Sequence, residues 1–147
     1  MSHAHAIRLK NMVIIALVVL ATINLQATEA CLTHDYNVVI NNGLPPDSPD
    51  PLKLHCRSKN DDLGYHELQV NQNFTWSFCE SLLYNTLFTC DVSWGRAYQG
   101  FQAFNSKNQG MCDGGLCLWQ PRSDGIYFKG LEYPYFLKKF DWLFGRP

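Results

Sequence analysis

Cys31, Cys56, Cys79, Cys90, Cys112 and Cys117, with His34, His55, His66 and the adjacent pair Asp61-Asp62, are the side chains on which chemistry could rest. Thiolates and imidazoles together suit zinc, but structural zinc is held by closely spaced ligands, and the chain has no CxxC pair and no His-x3-5-His spacing. A nucleophilic Ser or Cys would need an oriented base, and no G-x-S-x-G elbow is present. Asp61 and Asp62 could be imagined as a glycosidase pair. Neighbours on a strand point to opposite faces, however, and these two fall in a turn, so they read as solvated carboxylates ahead of Gly64. His66 shares a face with Leu68 and Val70 and reads as a packed or rim histidine. The pattern offers no active site, no metal site and no cofactor requirement.

The elements that carry these residues begin after an apolar leader. Arg8 and Lys10 precede Met12 to Ile23 (MVIIALVVLATI), and Thr28-Glu29-Ala30 supplies small residues for cleavage. A helix over that run would reach about 18 Å, against a bilayer core of about 30 Å. Residues 1–30 therefore read as a signal peptide, and residues 31–147 as one secreted, extracellular domain with no membrane insertion once the leader is cut. The alternative is an uncleaved anchor extended through Leu25. All six cysteines lie beyond the cut, and an even number in a small secreted chain points to disulfides. The 147-residue chain carries a formal charge of −1, and cleavage would remove Arg8, Lys10 and Glu29, leaving it slightly more acidic. That balance argues against nucleic acid or a polybasic membrane contact.

Nearly everything after Cys31 reads as strands and turns. Tyr36 to Ile40 is β-branched, and a loop with four prolines follows, NNGLPPDSPDP. Leu52 to Arg57 (LKLHCR) alternates, placing Leu52, Leu54 and Cys56 on one face. Lys59 to Asp62 is a turn, Gly64 to Val70 alternates again, Asn71 to Asn73 turns, and Phe74, Trp76 and Phe78 line the next strand. Ser58 to Phe78 thus reads as a hairpin. Thr86 to Trp94 and Gly100 to Phe104 are further strands, separated from Cys117 to Gln120 by a polar Gly-rich loop, Asn105 to Gly115. Pro121 to Asp124 then reads as a hairpin turn leading into Gly125 to Lys129. Tyr133 to Phe144 is the one helix candidate, against its Pro134 and aromatic density. Short strands at regular turn signals predict an all-β fold, a sandwich or barrel.

The succession "LKLHCRSKNDDLGYHEL", "FTWSF", "TLFTCDVSWG", "FQAF", "CLWQPRSDGIYF" and "KKFDW" resembles the plant self-incompatibility S1 family, the S-protein homologues, from Val38 to Trp142. The resemblance implies a small disulfide-stabilised β-sandwich of short antiparallel strands. It also implies a secreted, non-catalytic ligand that acts in reproduction or cell-cell signalling through a cell-surface receptor. Cys56 with Cys90 resembles the family's long-range bridge, and Cys112 with Cys117 its local one. Cys31 and Cys79 lie outside that pattern; we expect them to form a third bridge at the mature N-terminus, the alternatives being free thiols or pairing between chains.

Asn73-Phe74-Thr75 is a glycosylation sequon at a turn, so Asn73 is a candidate for a glycan. Recognition by such a ligand should sit on loops carried by a rigid sandwich. The candidates are the turn of Asn60, Asp61, Asp62 and Leu63, the Gln69–Asn73 turn (Gln69, Asn71, Gln72), and the Asn105–Gly115 loop (Lys107, Asn108, Gln109). A second class of reading is a wall- or carbohydrate-binding module, which needs exposed coplanar aromatics. A third is a secreted enzyme or an inhibitor of one.

Overall fold

A computed structural model of the chain describes residues 11–17, 31–131 and 134–145, with the side chains of 109 and 110 excepted. The chain divides into two compact units, Met1–Ala30 and Cys31–Pro147. In the first, residues 11–17 are helical and exposed, and residues 18–30, where the leader's end and its cut are expected, lie outside the described residues. Among the described residues no helix is long and apolar enough to cross a membrane.

The second unit is a sandwich of two five-stranded sheets. Its strands are β1 (Asp35–Asn41), β2 (Leu52–Arg57), β3 (Asp62–Leu68), β4 (Asn73–Cys79), β5 (Leu87–Trp94), β6 (Ala97–Asn105), β7 (Leu116–Arg122), β8 (Gly125–Lys129), β9 (Leu137–Phe140) and β10 (Leu143–Phe144). One sheet runs β4-β1-β7-β8-β9 and the other β10-β6-β5-β2-β3. Pairing is antiparallel apart from β1 with β7, which are parallel and depart from the expected purely antiparallel pattern. Parallel neighbours need a long crossover. Here β2, β3, β5 and β6 of the second sheet, together with β4 of the first, are built between them.

Alternation explains the core. Leu52, Leu54 and Cys56 on β2 and Phe88, Cys90 and Val92 on β5 are buried, as are Val38 and Ile40 on β1. Trp119 on β7 packs on Phe101 of the opposite sheet at 4.5 Å between ring centres, and its indole N–H donates to the Ala103 carbonyl at 2.9 Å. One residue thereby fills the space between the sheets and satisfies its own polar atom.

Four local expectations are corrected. Ser58 to Phe78 is not one hairpin: β3 pairs with β2 in one sheet and β4 with β1 in the other, so residues 69–72 cross between sheets. The apolar faces of β3 and β4 then meet across the core, where the His66 ring lies 4.1 Å from that of Phe74. The helix candidate at Tyr133 to Phe144 is instead β9 and β10. Strand pairing of Phe140 with Ile126 and of Leu137 with Phe128 seats Phe140 beside Phe101 and Trp119, which a helix could not do with its backbone satisfied internally. Tyr133 itself lies outside the described residues. The Asn105–Gly115 loop contains a 3-10 helix, Ser106–Met111, capped by the Asn105 side chain accepting from the Lys107 N–H at 3.0 Å. The turn expected at Pro121 to Asp124 is shorter too, since Pro121 and Arg122 remain in β7.

Candidate recognition surface

Strand register sorts the loops into two groups, one at each end of the sandwich. β1 begins where β4 ends, Asp35 lying opposite Cys79, and β2 ends where β5 begins, Arg57 opposite Thr89. Phe78 of β4 packs 4.7 Å from Phe88 of β5, so both sheets share this end. It gathers residues 31–34, 58–61, 80–86 and 106–115. The other end gathers the proline loop of residues 42–51, the crossover of 69–72 and the turn at Gly95-Arg96. Strands of about seven residues separate the two ends by about 20 Å.

The candidate residues are therefore divided. Asn60, Asp61, Asp62 and Leu63 share the first end with Lys107, Asn108 and Gln109, the side chain of Gln109 being outside the described residues. Gln69, Asn71, Gln72 and the sequon residue Asn73 lie at the other. The structure has three disulfides, Cys31–Cys79, Cys56–Cys90 and Cys112–Cys117, and all three fall at or near the first end. We refer to it as the bridged end.

In the β2–β3 turn the Ser58, Asp61 and Asp62 side chains are occupied with holding the turn. The Ser58 hydroxyl accepts from the N–H groups of Asn60 and Asp61 at 3.3 and 3.0 Å and donates to the Asp61 carboxylate at 3.3 Å. Asp62 accepts from the Gly64 N–H at 2.9 Å and from His55 Nε2 at 2.6 Å. Gly64 sits at φ +80, the left-handed region that a glycine enters without a Cβ clash. With Nε2 donating, His55 Nδ1 is left to accept from Arg57 Nη1 at 3.1 Å, and the exposed Tyr65 ring stacks on His55 at 4.1 Å. His66 is drawn inward, its Nε2 bonded to the Leu63 carbonyl at 2.7 Å. Asp61 and Asp62 thus close a turn and do not form an acid-base pair.

The Gly64 N–H first, and the His55 side chain second, hold the Asp62 carboxyl below its ordinary value. Since its folded value lies below the unfolded one, Asp62 supports the turn fully above the ordinary carboxylate range and loses that role as pH falls through the lowered value. An NMR titration of the Asp62 carboxyl carbon should give a midpoint below that of an unperturbed aspartate. A midpoint at or above it would show that the two bonds do not persist in solution.

The crossover at the other end is organised by a residue that the sequence hides. Asn42 is fully buried. Its side chain donates to the Leu68 carbonyl at 2.9 Å and accepts from the Leu44 N–H at 3.0 Å, while its backbone exchanges bonds with Gln72 and Asn71. Asn71, at φ 65, takes the left-handed conformation that asparagine tolerates. The Asn73 side chain is exposed and accepts from Asn41 Nδ2 at 2.6 Å.

Sequence reasoning missed a fourth loop at the bridged end, residues 80–86. Leu82, Leu83 and Tyr84 are 77%, 81% and 74% exposed. The signal was there in ESLLYN, an apolar run without strand alternation between two strands. Among the described residues no group of three or more His, Cys, Asp or Glu side chains is placed to hold a metal ion.

These features define a small all-β sandwich braced by disulfides, with its loops mounted on a rigid frame. Residues 37–142 match the model of the family described as plant self-incompatibility protein S1. The chain is 36% identical to S-protein homolog 29 of Arabidopsis thaliana over 84% of its own length and 90% of that protein's. To S-protein homolog 24 of the same plant it is 32% identical over 86% and 82%. The chain belongs to the plant self-incompatibility protein S1 family, which is not a known enzyme family. A solved structure of self-incompatibility protein homologues, described as a widespread family of small, highly stable, secreted proteins from plants, superposes with a TM-score of 0.59. At 24% identity over 77% of this chain and 98% of the other, that likeness shows the fold.

Proposed function

We propose that the protein is a secreted, non-catalytic ligand of the S1 type, recognised by a cell-surface receptor through loops at the bridged end of the sandwich. The observation that carries the reading is the gathering of three disulfides at the end where the β2–β3 turn, the 80–86 loop and the 3-10 segment emerge. Bridges there add stability to a small domain and hold its loops in one conformation, which lowers the entropic cost of docking. Those loops are also stitched together: Ser106 donates from its backbone N–H to the Thr86 carbonyl at 3.0 Å and from its hydroxyl to Asn85 at 2.7 Å, and it accepts from the Thr86 N–H at 2.9 Å. A glycan on Asn73, at the opposite end, would leave this surface uncovered. The family resemblance supports the same reading, since S-protein homologues are the relatives it matches.

The test expresses the full chain in plant cells. The expected result is protein in the medium whose chain starts at Cys31 and which binds pollen tubes or other plant cells saturably. Unlabelled protein should compete, and reduction of the disulfides should abolish binding. Retention inside the cell, or binding that never saturates on any cell type, would overturn the reading.

A further inference from the structure

Water-exposed apolar side chains scattered singly are ordinary on a protein surface, but three in succession on an ordered loop are not. Leu82, Leu83 and Tyr84 lie between Ser81 and Asn85, and the loop that presents them is fastened at both feet. The Ser81 hydroxyl accepts from the N–H groups of Leu83 and Tyr84 at 3.3 and 3.2 Å, and the Ser81 N–H donates to the Thr86 hydroxyl at 3.1 Å. The Cys31–Cys79 bridge closes on the residue before the loop, and Thr33 donates to the Glu80 carbonyl at 2.7 Å. That bridge also brings Leu32, 96% exposed, to the loop's first foot. The apolar side chains are thus held out in water by bonds that have already spent the loop's freedom.

Beside the loop lies a depression of about 820 Å³. Its walls come from Phe78, Tyr84 and Thr86 on one side and from Lys59, Asn60 and Asp61 of the β2–β3 turn on the other. Lys59 is exposed and has no ion pair among the described residues, whereas Arg57 in the same wall is paired with Asp91 at 2.9 Å.

We propose that Leu82, Leu83 and Tyr84 are the apolar anchor by which this protein docks a partner protein, which receives them in a hydrophobic recess and places an acidic side chain over Lys59. This deepens the receptor reading above and rests on it. A central apolar cluster with a polar rim is how protein interfaces concentrate their affinity. A bilayer surface has no projecting group to fill the depression, and Lys59, the one cation without an ion pair among the described residues lining it, is a weak attraction to lipid.

The test measures binding of protein made from the full chain to intact plant cells, alongside vesicles of phosphatidylcholine with phosphatidylserine. Leu82→Ser with Leu83→Ser should weaken saturable cell binding about thirtyfold or more, with thermal unfolding unchanged. Lys59→Glu should slow association and reduce its salt dependence. Proteolysis of the cell surface should abolish binding of the parent protein. Undiminished binding by the double variant overturns the anchor while leaving the receptor reading intact. Loss of vesicle binding in the double variant, with protease-resistant cell binding, would assign the loop to lipid and overturn the proposal. Concentration-dependent dimerisation that the same variant removes would assign it to a second copy and do likewise. Absence of any saturable binding by the parent protein would remove both the receptor reading and the anchor.

Discussion

Replacing Cys56 and Cys90 together by alanine should cost about 4 kcal/mol or more, enough to unfold a small domain or to lower its melting temperature by about 15 °C. The two residues face each other in register on β2 and β5, both fully buried, with 34 residues of sequence separation between them. On the chain-entropy estimate, closing a loop of that size stabilises by about 4 kcal/mol, and removing two buried sulfurs adds a cavity. The same estimate places the Cys31–Cys79 bridge, at a separation of 48, slightly higher. We expect the reverse order. Cys79 is exposed, and the segment held by Cys31 can fray from the sandwich without opening the core. Loss of that bridge should appear as faster hydrogen exchange at residues 31–34 and in the 80–86 loop, with a much smaller change in global unfolding. Chemical denaturation of the two double-alanine proteins decides the matter: equal loss of stability would mean that the N-terminal segment belongs to the cooperative core.

The strands were legible wherever one face meets the core and the other meets water. LKLHCR and TLFTCDVSW alternate because β2 and β5 lie inside a sheet with one wet face, and the period of two survives any tertiary arrangement. What local pattern does not encode is which strand pairs with which. Residues 58–78 contain two strands and two turns, and a four-residue connection ordinarily joins neighbours in one sheet. The alternatives differ only in long-range bonds, above all those made by Asn42, which in sequence is one polar residue of a proline-rich loop. The segment from Tyr133 to Phe144 misleads for a related reason. Its Pro134 and aromatic density already argue against a helix, but nothing local shows that Phe140 is placed by Trp119 and Phe101, far away in sequence.

The candidate recognition residues show the same limit. Polar composition located the turns correctly as surface features, yet it could not tell which end each occupies, nor that the Asp62 and Ser58 side chains are used within the turn. A further difficulty is that loop recognition was sought in turns chosen by their polar composition. An apolar loop is anomalous only once its exposure is known, and exposure is a tertiary property.

Asn42→Leu should lose about 3 kcal/mol of stability with little change in side-chain volume. The substitution preserves the backbone bonds to Gln72 and Asn71 but removes the partners of the Leu68 carbonyl and the Leu44 N–H. A buried polar group left unsatisfied costs about 1–3 kcal/mol, and here there are two, offset in part by the added apolar surface. Asn42→Asp should be worse. It would place an acceptor where Nδ2 now donates to Leu68, at a position with no exposure, so the carboxyl must either stay protonated or break the crossover open. Its loss should therefore deepen as pH rises above the carboxylate range, whereas the leucine variant should show no such added dependence. Thermal melts of both variants between mildly acidic and neutral pH read the difference directly. A loss below about 1 kcal/mol in the leucine variant would mean that the crossover is fixed by core packing of β3 against β4, with the asparagine incidental. A large loss, with early exchange of the Asn71 and Leu44 amides, would make one buried amide the reason that β4 leaves the sheet of β3 and completes the other half of the sandwich.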